Sequence, residues 1–152
     1  MDEPTLRTLR ERDNPHIFCP LGNDTLLMEL GFRKDRRHCL DWWDSRAIAV
    51  YLPAEKASAA PVHATFKLIC TPAQHSAGRS LFNFDQWDSL WASWAIEGDS
   101  PSTSVFFAGD TGYRTVLDGE NEDTVPYCPA FKEIGERIGG FELALLPIGC
   151  DT

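Results

Sequence analysis

Hydrophobic and polar positions change period several times along this chain, and each change predicts a new element. From Pro4 to Arg12, leucines stand at 6 and 9 among charged residues, with Asp2 and Glu3 ahead of them, which predicts a surface helix. His16-Ile17-Phe18-Cys19-Pro20 then reads as a short strand, and Asn23 to Leu30 as a helix closed by Gly31. Residues 53–61, Pro-Ala-Glu-Lys-Ala-Ser-Ala-Ala-Pro, are low in bulk and bounded by prolines, so a flexible connection between strands is expected there.

The second half is more apolar. Thr65-Phe66-Lys67-Leu68-Ile69-Cys70 and Val105-Phe106-Phe107-Ala108 read as buried strands, and the aromatic alternation of Leu90 to Ile96 as a strand with one buried face. Asp118 to Asp123 is an acidic loop insert. Pro129 introduces a helix over Ala130 to Ile138, ended by Gly139-Gly140. Phe141 to Gly149 closes the pattern as an apolar strand that belongs in the middle of a sheet, although no covering helix follows it. The fold class is therefore α/β, with strands and helices in one partial domain over 1–152.

Composition narrows the classes of function. The chain has 152 residues, 43% hydrophobic, with five Trp and nine Phe, enough for a core, and those tryptophans are expected mainly in packing. The net charge of -9 is uneven, with nine basic and ten acidic groups before residue 57 and five and thirteen after it. Charge alone then argues against broad binding to nucleic acid or to anionic lipid. Cys19, Cys39, Cys70, Cys128 and Cys150 are odd in number and form no C-x-x-C pair, so reduced thiols within a cell are expected rather than a disulfide framework or a zinc knuckle. No secretory signal or bilayer-spanning apolar run is present, and an intracellular protein, soluble or peripheral on a membrane, is expected.

Two segments carry candidate chemistry. The first apolar run leads through Thr71-Pro72-Ala73-Gln74 to His75, and the second leads into Gly109-Asp110-Thr111-Gly112. Loops at the C-terminal ends of strands are where α/β sheets tend to hold their chemistry. A carboxylate placed after a buried strand is costly unless it is paired, hydrogen-bonded or bound to metal, and flanking glycines let a partner approach it. His16, His38 and His63 are scattered singly and are expected to be surface or core residues.

Five ordered blocks give the chain a family likeness. Cys70-Thr71-Pro72-Ala73-Gln74-His75 with Gly78-Arg79, Ser89 to Trp94, Phe106 to Tyr113, Phe131 to Gly135, and Leu146-Pro147-Ile148-Gly149 together resemble the N-acyl-phosphatidylethanolamine-hydrolysing phospholipase D family of the metallo-β-lactamase superfamily, and Leu40-Asp41-Trp42-Trp43 extends the likeness. The resemblance implies part of an αββα sandwich, truncated at both ends, from an enzyme holding two zinc ions. Such enzymes hydrolyse N-acylphosphatidylethanolamine to N-acylethanolamine and phosphatidic acid. Carried over by motif, His75 would ligate one zinc and Asp110 would bridge both.

The family's H-x-H-x-D-H motif has no counterpart here, and its final histidine would lie beyond the Leu-Pro-Ile-Gly strand, so the chain alone is expected to be inactive or nearly so. Ser76 stands where the family commonly has an aromatic residue. The partner implied is a membrane phospholipid substrate, met through the basic stretch Arg33-Lys34-Asp35-Arg36-Arg37 or through a segment outside this chain. A non-catalytic pseudo-domain that binds lipid or a full-length partner, including a homodimer, is the alternative. A retropepsin-like protease half is a remote third reading, resting on Asp110-Thr111-Gly112 as the aspartic protease D-T-G.

Overall fold

A computed structural model of the chain describes residues 2–52, 62–75, 89–99 and 103–147. The chain divides into two compact units, one of residues 1–41 with 76–91 and one of residues 42–75 with 92–152.

In the first unit, helix α1 spans Glu3–Arg12, starting one residue before the expected Pro4. The Asp2 carboxylate accepts from the Thr5 N–H at 3.0 Å and satisfies one of the amides left open at a helix start. Strand β1 (Ile17–Pro20) is followed by helix α2 (Asp24–Glu29), a 3-10 turn at Lys34–Arg36 and strand β2 (Arg37–Leu40). β1 and β2 pair in parallel, Ile17 opposite Arg37 and Cys19 opposite Cys39. Gly31, at φ +85°, closes α2. Its N–H reaches the Met28 carbonyl, the Phe32 N–H reaches that of Leu27, and Leu27 and Phe32 share a core with Cys19 and Leu30. Asn23 precedes α2 without capping it: its amide is spent on the Pro20 carbonyl and the Ser89 hydroxyl, both within 3.0 Å.

The second unit is built on a five-stranded sheet in the order β3 (Ser45–Leu52), β4 (Val62–Pro72), β5 (Ala92–Gly98), β6 (Ser104–Phe107) and β7 (Leu143–Leu145). The first three pairings are antiparallel and the last is parallel. Helix α3 (Ala130–Ile138) connects β6 to β7 after a 3-10 turn at Glu122–Thr124, and it covers one face of the sheet. Its Ile134, with Phe131 and Ile138 beside it, packs on Ile69, Ala95, Phe106 and Ala108. These helix positions, three and four apart, make one stripe.

Three expectations need correction. β6 is not buried on both faces, because successive residues of a strand point to opposite sides and α3 covers one of them, whereas the end of β4 is buried on both, with Ile69 5% and Cys70 0% exposed. In β6, Phe106 is buried while Phe107 is 50% exposed. Among the described residues the last strand has three residues and lies at the rim of the sheet, not at its centre, and Leu143 and Leu145 are each about half exposed. The strand expected at Leu90 to Ile96 begins at Ala92, since the Leu90 N–H is bonded to the Leu21 carbonyl of the first unit instead of a sheet neighbour. Strand β3 had no counterpart in the reading of the sequence. Within the acidic insert, Gly119 at φ +87° lets Glu120 return its carboxylate to the Leu117 N–H, and Asn121 caps the 3-10 turn through the Asp123 N–H. The connection at 53–61 lies outside the described residues.

Candidate metal centre

The direction of the strands brings the two motif residues together. β4 and β6 each pair antiparallel with β5, so they run the same way and their C-terminal ends lie at one edge, a single strand apart. His75 follows the end of β4 by three residues, and Asp110 follows the end of β6 by three. His75 Nε2 lies 3.4 Å from Asp110 Oδ2, with side chains 45% and 86% exposed.

A second set of bonds holds the two loops in register. The Thr111 hydroxyl accepts from the Gln74 N–H at 2.9 Å and donates to the Gln74 carbonyl at 3.1 Å, and that carbonyl also accepts from the Gly112 N–H at 2.8 Å. Gly109 makes the turn at φ +67°, a conformation that a side chain disfavours. Below this corner the ends of β4 and β5 share a buried hydroxyl pair, Thr71 Oγ1 to Ser93 Oγ at 2.8 Å, with Ser93 also donating to the Pro72 carbonyl. Buried polar groups satisfied in this way fix the strand ends in place.

Next to the Asp110 loop opens an apolar cleft of about 420 Å³ between the sheet and α3. Phe106, Tyr113, Phe131, Ile134, Phe141 and Leu146 contribute to its wall. Tyr113 stacks on Tyr127 with ring centroids 5.4 Å apart, and the Cys128 N–H bonds to the Tyr113 carbonyl, so the loop after Asp110 is tied to the segment that leads into α3.

The pair has the donor types and spacing of two zinc ligands. With metal–ligand bonds of about 2.0–2.2 Å in a tetrahedron, neighbouring donors stand roughly 3.3–3.5 Å apart. The number of donors falls short: among the described residues no group of three or more His, Cys, Asp or Glu side chains converges. His75 and Asp110 by themselves are too few to hold the ion, since zinc sites use three or four protein ligands.

A beta-lactamase superfamily domain family matches residues 1–152. The chain belongs to this family. It is 32% identical over 141 residues to N-acyl-phosphatidylethanolamine-hydrolyzing phospholipase D 1 of Caenorhabditis elegans, which covers 90% of the chain and 32% of that protein. An uncharacterised protein of Mycobacterium tuberculosis is 31% identical over 149 residues, 98% of the chain and 31% of the relative. Outer membrane protein RomA of Klebsiella pneumoniae is 31% identical over 78 residues, 51% of the chain and 45% of RomA. The chain therefore spans about a third of the length of the first two relatives. A mixed α/β domain of the beta-lactamase superfamily, with a five-stranded sheet and helices, accounts for the fold. One family match over the whole chain leaves the protease reading of Asp110-Thr111-Gly112 with no support of its own.

Other groupings were not visible in the sequence. His16 and His38, read as isolated, are stacked at 5.0 Å with Nδ1 to Nε2 at 2.8 Å, and His38 also stacks on Phe18 at 4.5 Å. Cys19 and Cys39 face each other with sulfurs 3.4 Å apart. Both pairs depend on β1 pairing with β2, whose register nothing local in the sequence announces. The basic stretch is partly neutralised, as Arg33 pairs with Asp35 at 3.0 Å and Arg37 with Asp24 at 3.0 Å. Trp43 packs under Arg137, whose guanidinium lies 4.1 Å from the ring centroid. His63 falls in β4, while Ser76, Gly78, Arg79 and Trp87 lie outside the described residues.

Proposed function

We propose that this chain forms part of a zinc-dependent phosphodiesterase of the phospholipase D type that hydrolyses N-acylphosphatidylethanolamine to N-acylethanolamine and phosphatidic acid. The observation that carries the reading is the convergence of His75 and Asp110 at 3.4 Å on one edge of the sheet, in a chain 32% identical to a phospholipase of that name. His75 would serve as a terminal ligand and Asp110 as the bridging one, because the two oxygens of a carboxylate can each face a cation. Two zinc ions there would supply positive charge to a phosphodiester. The remaining donors lie, in this reading, outside the described residues.

The chain's own residues contribute position and surroundings. Thr111 and Gly112 hold the His75 loop against the Asp110 loop, and the cleft beside them offers an apolar wall to an acyl chain of the substrate. Membrane phospholipid is then the partner that the site would meet. Among the described residues no helix is long and apolar enough to cross a membrane, so contact with the bilayer is proposed to be peripheral.

The test is turnover of N-acylphosphatidylethanolamine in mixed vesicles, with both products followed by mass spectrometry, in the protein carrying its full ligand set. Asp110→Ala and His75→Ala should each lower kcat/KM by about 100-fold or more, at or beyond the upper end of what losing an outer-shell partner costs. Full turnover in either variant overturns the ligand assignment. Zinc added to the chain of residues 1–152 should bind weakly, and tight binding of two ions would mean that further ligands lie within it.

A further inference from the structure

We propose that Cys19 and Cys39 form a reversible intrachain disulfide that locks β1 to β2. The parallel register sets them directly opposite. Their sulfurs lie 3.4 Å apart, so bond formation closes the gap by roughly 1.4 Å to reach the usual S–S length of about 2.05 Å. Neighbouring strands stand about 4.8 Å apart, within the Cα separations of about 4.4–6.8 Å that disulfides span, so the backbone need not move far.

The surroundings divide the roles of the two thiols. Cys39 is partly accessible and lies 3.9 Å from the Asp24 carboxylate, whereas Cys19 is 4% exposed, with its sulfur 3.8 Å from the His38 carbonyl. Cys39 is therefore the sulfur that an external disulfide meets first, and Cys19 is the resolving partner. The oxidant is a small-molecule disulfide such as oxidised glutathione. The Cys39 thiolate attacks one of its sulfurs, forming a mixed disulfide and releasing one glutathione thiolate. Cys19, losing its proton to solvent, then attacks the Cys39 sulfur and expels the second glutathione. Two protein thiols and one oxidised glutathione become one protein disulfide and two reduced glutathiones.

The bond would close a loop that contains α2, Gly31 and the basic turn. Closing such a loop restricts the unfolded chain and favours the folded first unit. The strand pair thereby becomes an element whose stability follows the thiol–disulfide balance around it. The sequence concealed this because neither cysteine belongs to a short motif, and their meeting depends wholly on the parallel register.

The experiment equilibrates the folded chain with oxidised glutathione, quenches in acid, alkylates and digests with trypsin. A peptide joining residues 13–33 to residues 38–46, lighter by two hydrogens than the two thiol peptides together and released by dithiothreitol, is the expected product. It should come from monomer on a non-reducing gel. Cys19→Ser should keep glutathione on Cys39, because nothing resolves it. The unsubstituted chain decides the matter whether or not that variant folds. Cys39 left glutathionylated in the unsubstituted chain, both thiols left unreacted, or linkage to a different cysteine or a second copy overturns the proposal.

Discussion

Thr111 holds Gln74 from both sides, accepting from its N–H and donating to its carbonyl. The neighbours of these two residues are His75 and Asp110, so one hydroxyl sets the spacing of the candidate ligands. Thr111→Val keeps the shape and removes both bonds. The Gln74 and Gly112 amides should exchange with deuterium several-fold faster, and stability should fall by about 1–2 kcal/mol for two partly exposed hydrogen bonds. Thr111→Ser should restore protection. Unchanged exchange in Thr111→Val would mean that the loops are held by something else.

Gly109 tests the turn itself. A Cβ added there would meet Phe107 at 3.8 Å and the Ala92 carbonyl at 4.0 Å, which is ordinary contact. Space is therefore not the obstacle, and the cost of Gly109→Ala is the backbone strain at φ +67°, about 1–2 kcal/mol. Urea denaturation should show that loss with an unchanged slope. A neutral result would show that the turn relaxes out of the left-handed region, and then the His75 to Asp110 distance should change with it.

What the sequence disclosed and what it hid follow from the range of the interactions. α1, α2 and α3 were legible because a capping carboxylate, a closing glycine and a stripe of apolar positions are all local. His75 and Asp110 were legible as strand-end residues, and the structure adds the parallel direction of β4 and β6 that brings them within 3.4 Å. The edge position of β7 was not legible, because Leu143-Ala144-Leu145 has the same composition at the centre of a sheet as at its rim. β3 was missed because Ser45-Arg46-Ala47-Ile48-Ala49 mixes small, charged and apolar residues without a strong period. The pairs His16–His38 and Cys19–Cys39 depend on a register between segments twenty residues apart.

Asp2 makes the start of α1 sensitive to acid. Hydrogen bonding to the Thr5 side chain and then to the Thr5 N–H holds its carboxyl below the usual aspartate value. A carboxyl depressed in the folded state stabilises that state above its unfolded pKa and loses the contribution as pH falls through the folded pKa. The Thr5 amide should therefore lose protection on acidification below the ordinary aspartate range, as followed by NMR. Asp2→Asn keeps an oxygen acceptor without the titration, and its Thr5 amide should hold its protection at acid pH. Equal acid sensitivity in that variant would assign the effect to another group.

Arg137 and Trp43 offer a separate check on the second unit. The guanidinium lies over the indole at 4.1 Å and pairs with Glu133 at 2.6 Å, one turn back on α3. Trp43 itself sits at φ +69°, held by its N–H to the Cys70 carbonyl at 2.7 Å. Arg137→Ala removes the cation–π contact and should cost about 0.5–1 kcal/mol, with a change in tryptophan fluorescence. Arg137→Lys should recover part of the stability, since an ammonium can also lie on the ring face. Identical stability in all three proteins would show that the stacking contributes nothing measurable.

The face of the sheet away from α3 yields a prediction about behaviour in solution. Register places Ile48 and Val50 of β3, Phe66 and Leu68 of β4, Trp94 and Ile96 of β5, Val105 and Phe107 of β6 and Leu143 and Leu145 of β7 on the side away from α3. Val50, Phe107, Leu143 and Leu145 are among its large exposed side chains. Phe107, Leu143 and Leu145 lie side by side on neighbouring strands, and adjoining exposed apolar side chains favour association. The isolated chain should bind an apolar fluorescent dye strongly and associate as its concentration rises, as light scattering would show. Leu143→Lys with Leu145→Lys, on the exposed edge strand, should reduce both effects, because edge charges oppose strand-to-strand association. Monomeric behaviour at high concentration with no dye binding would show that these side chains do not drive association.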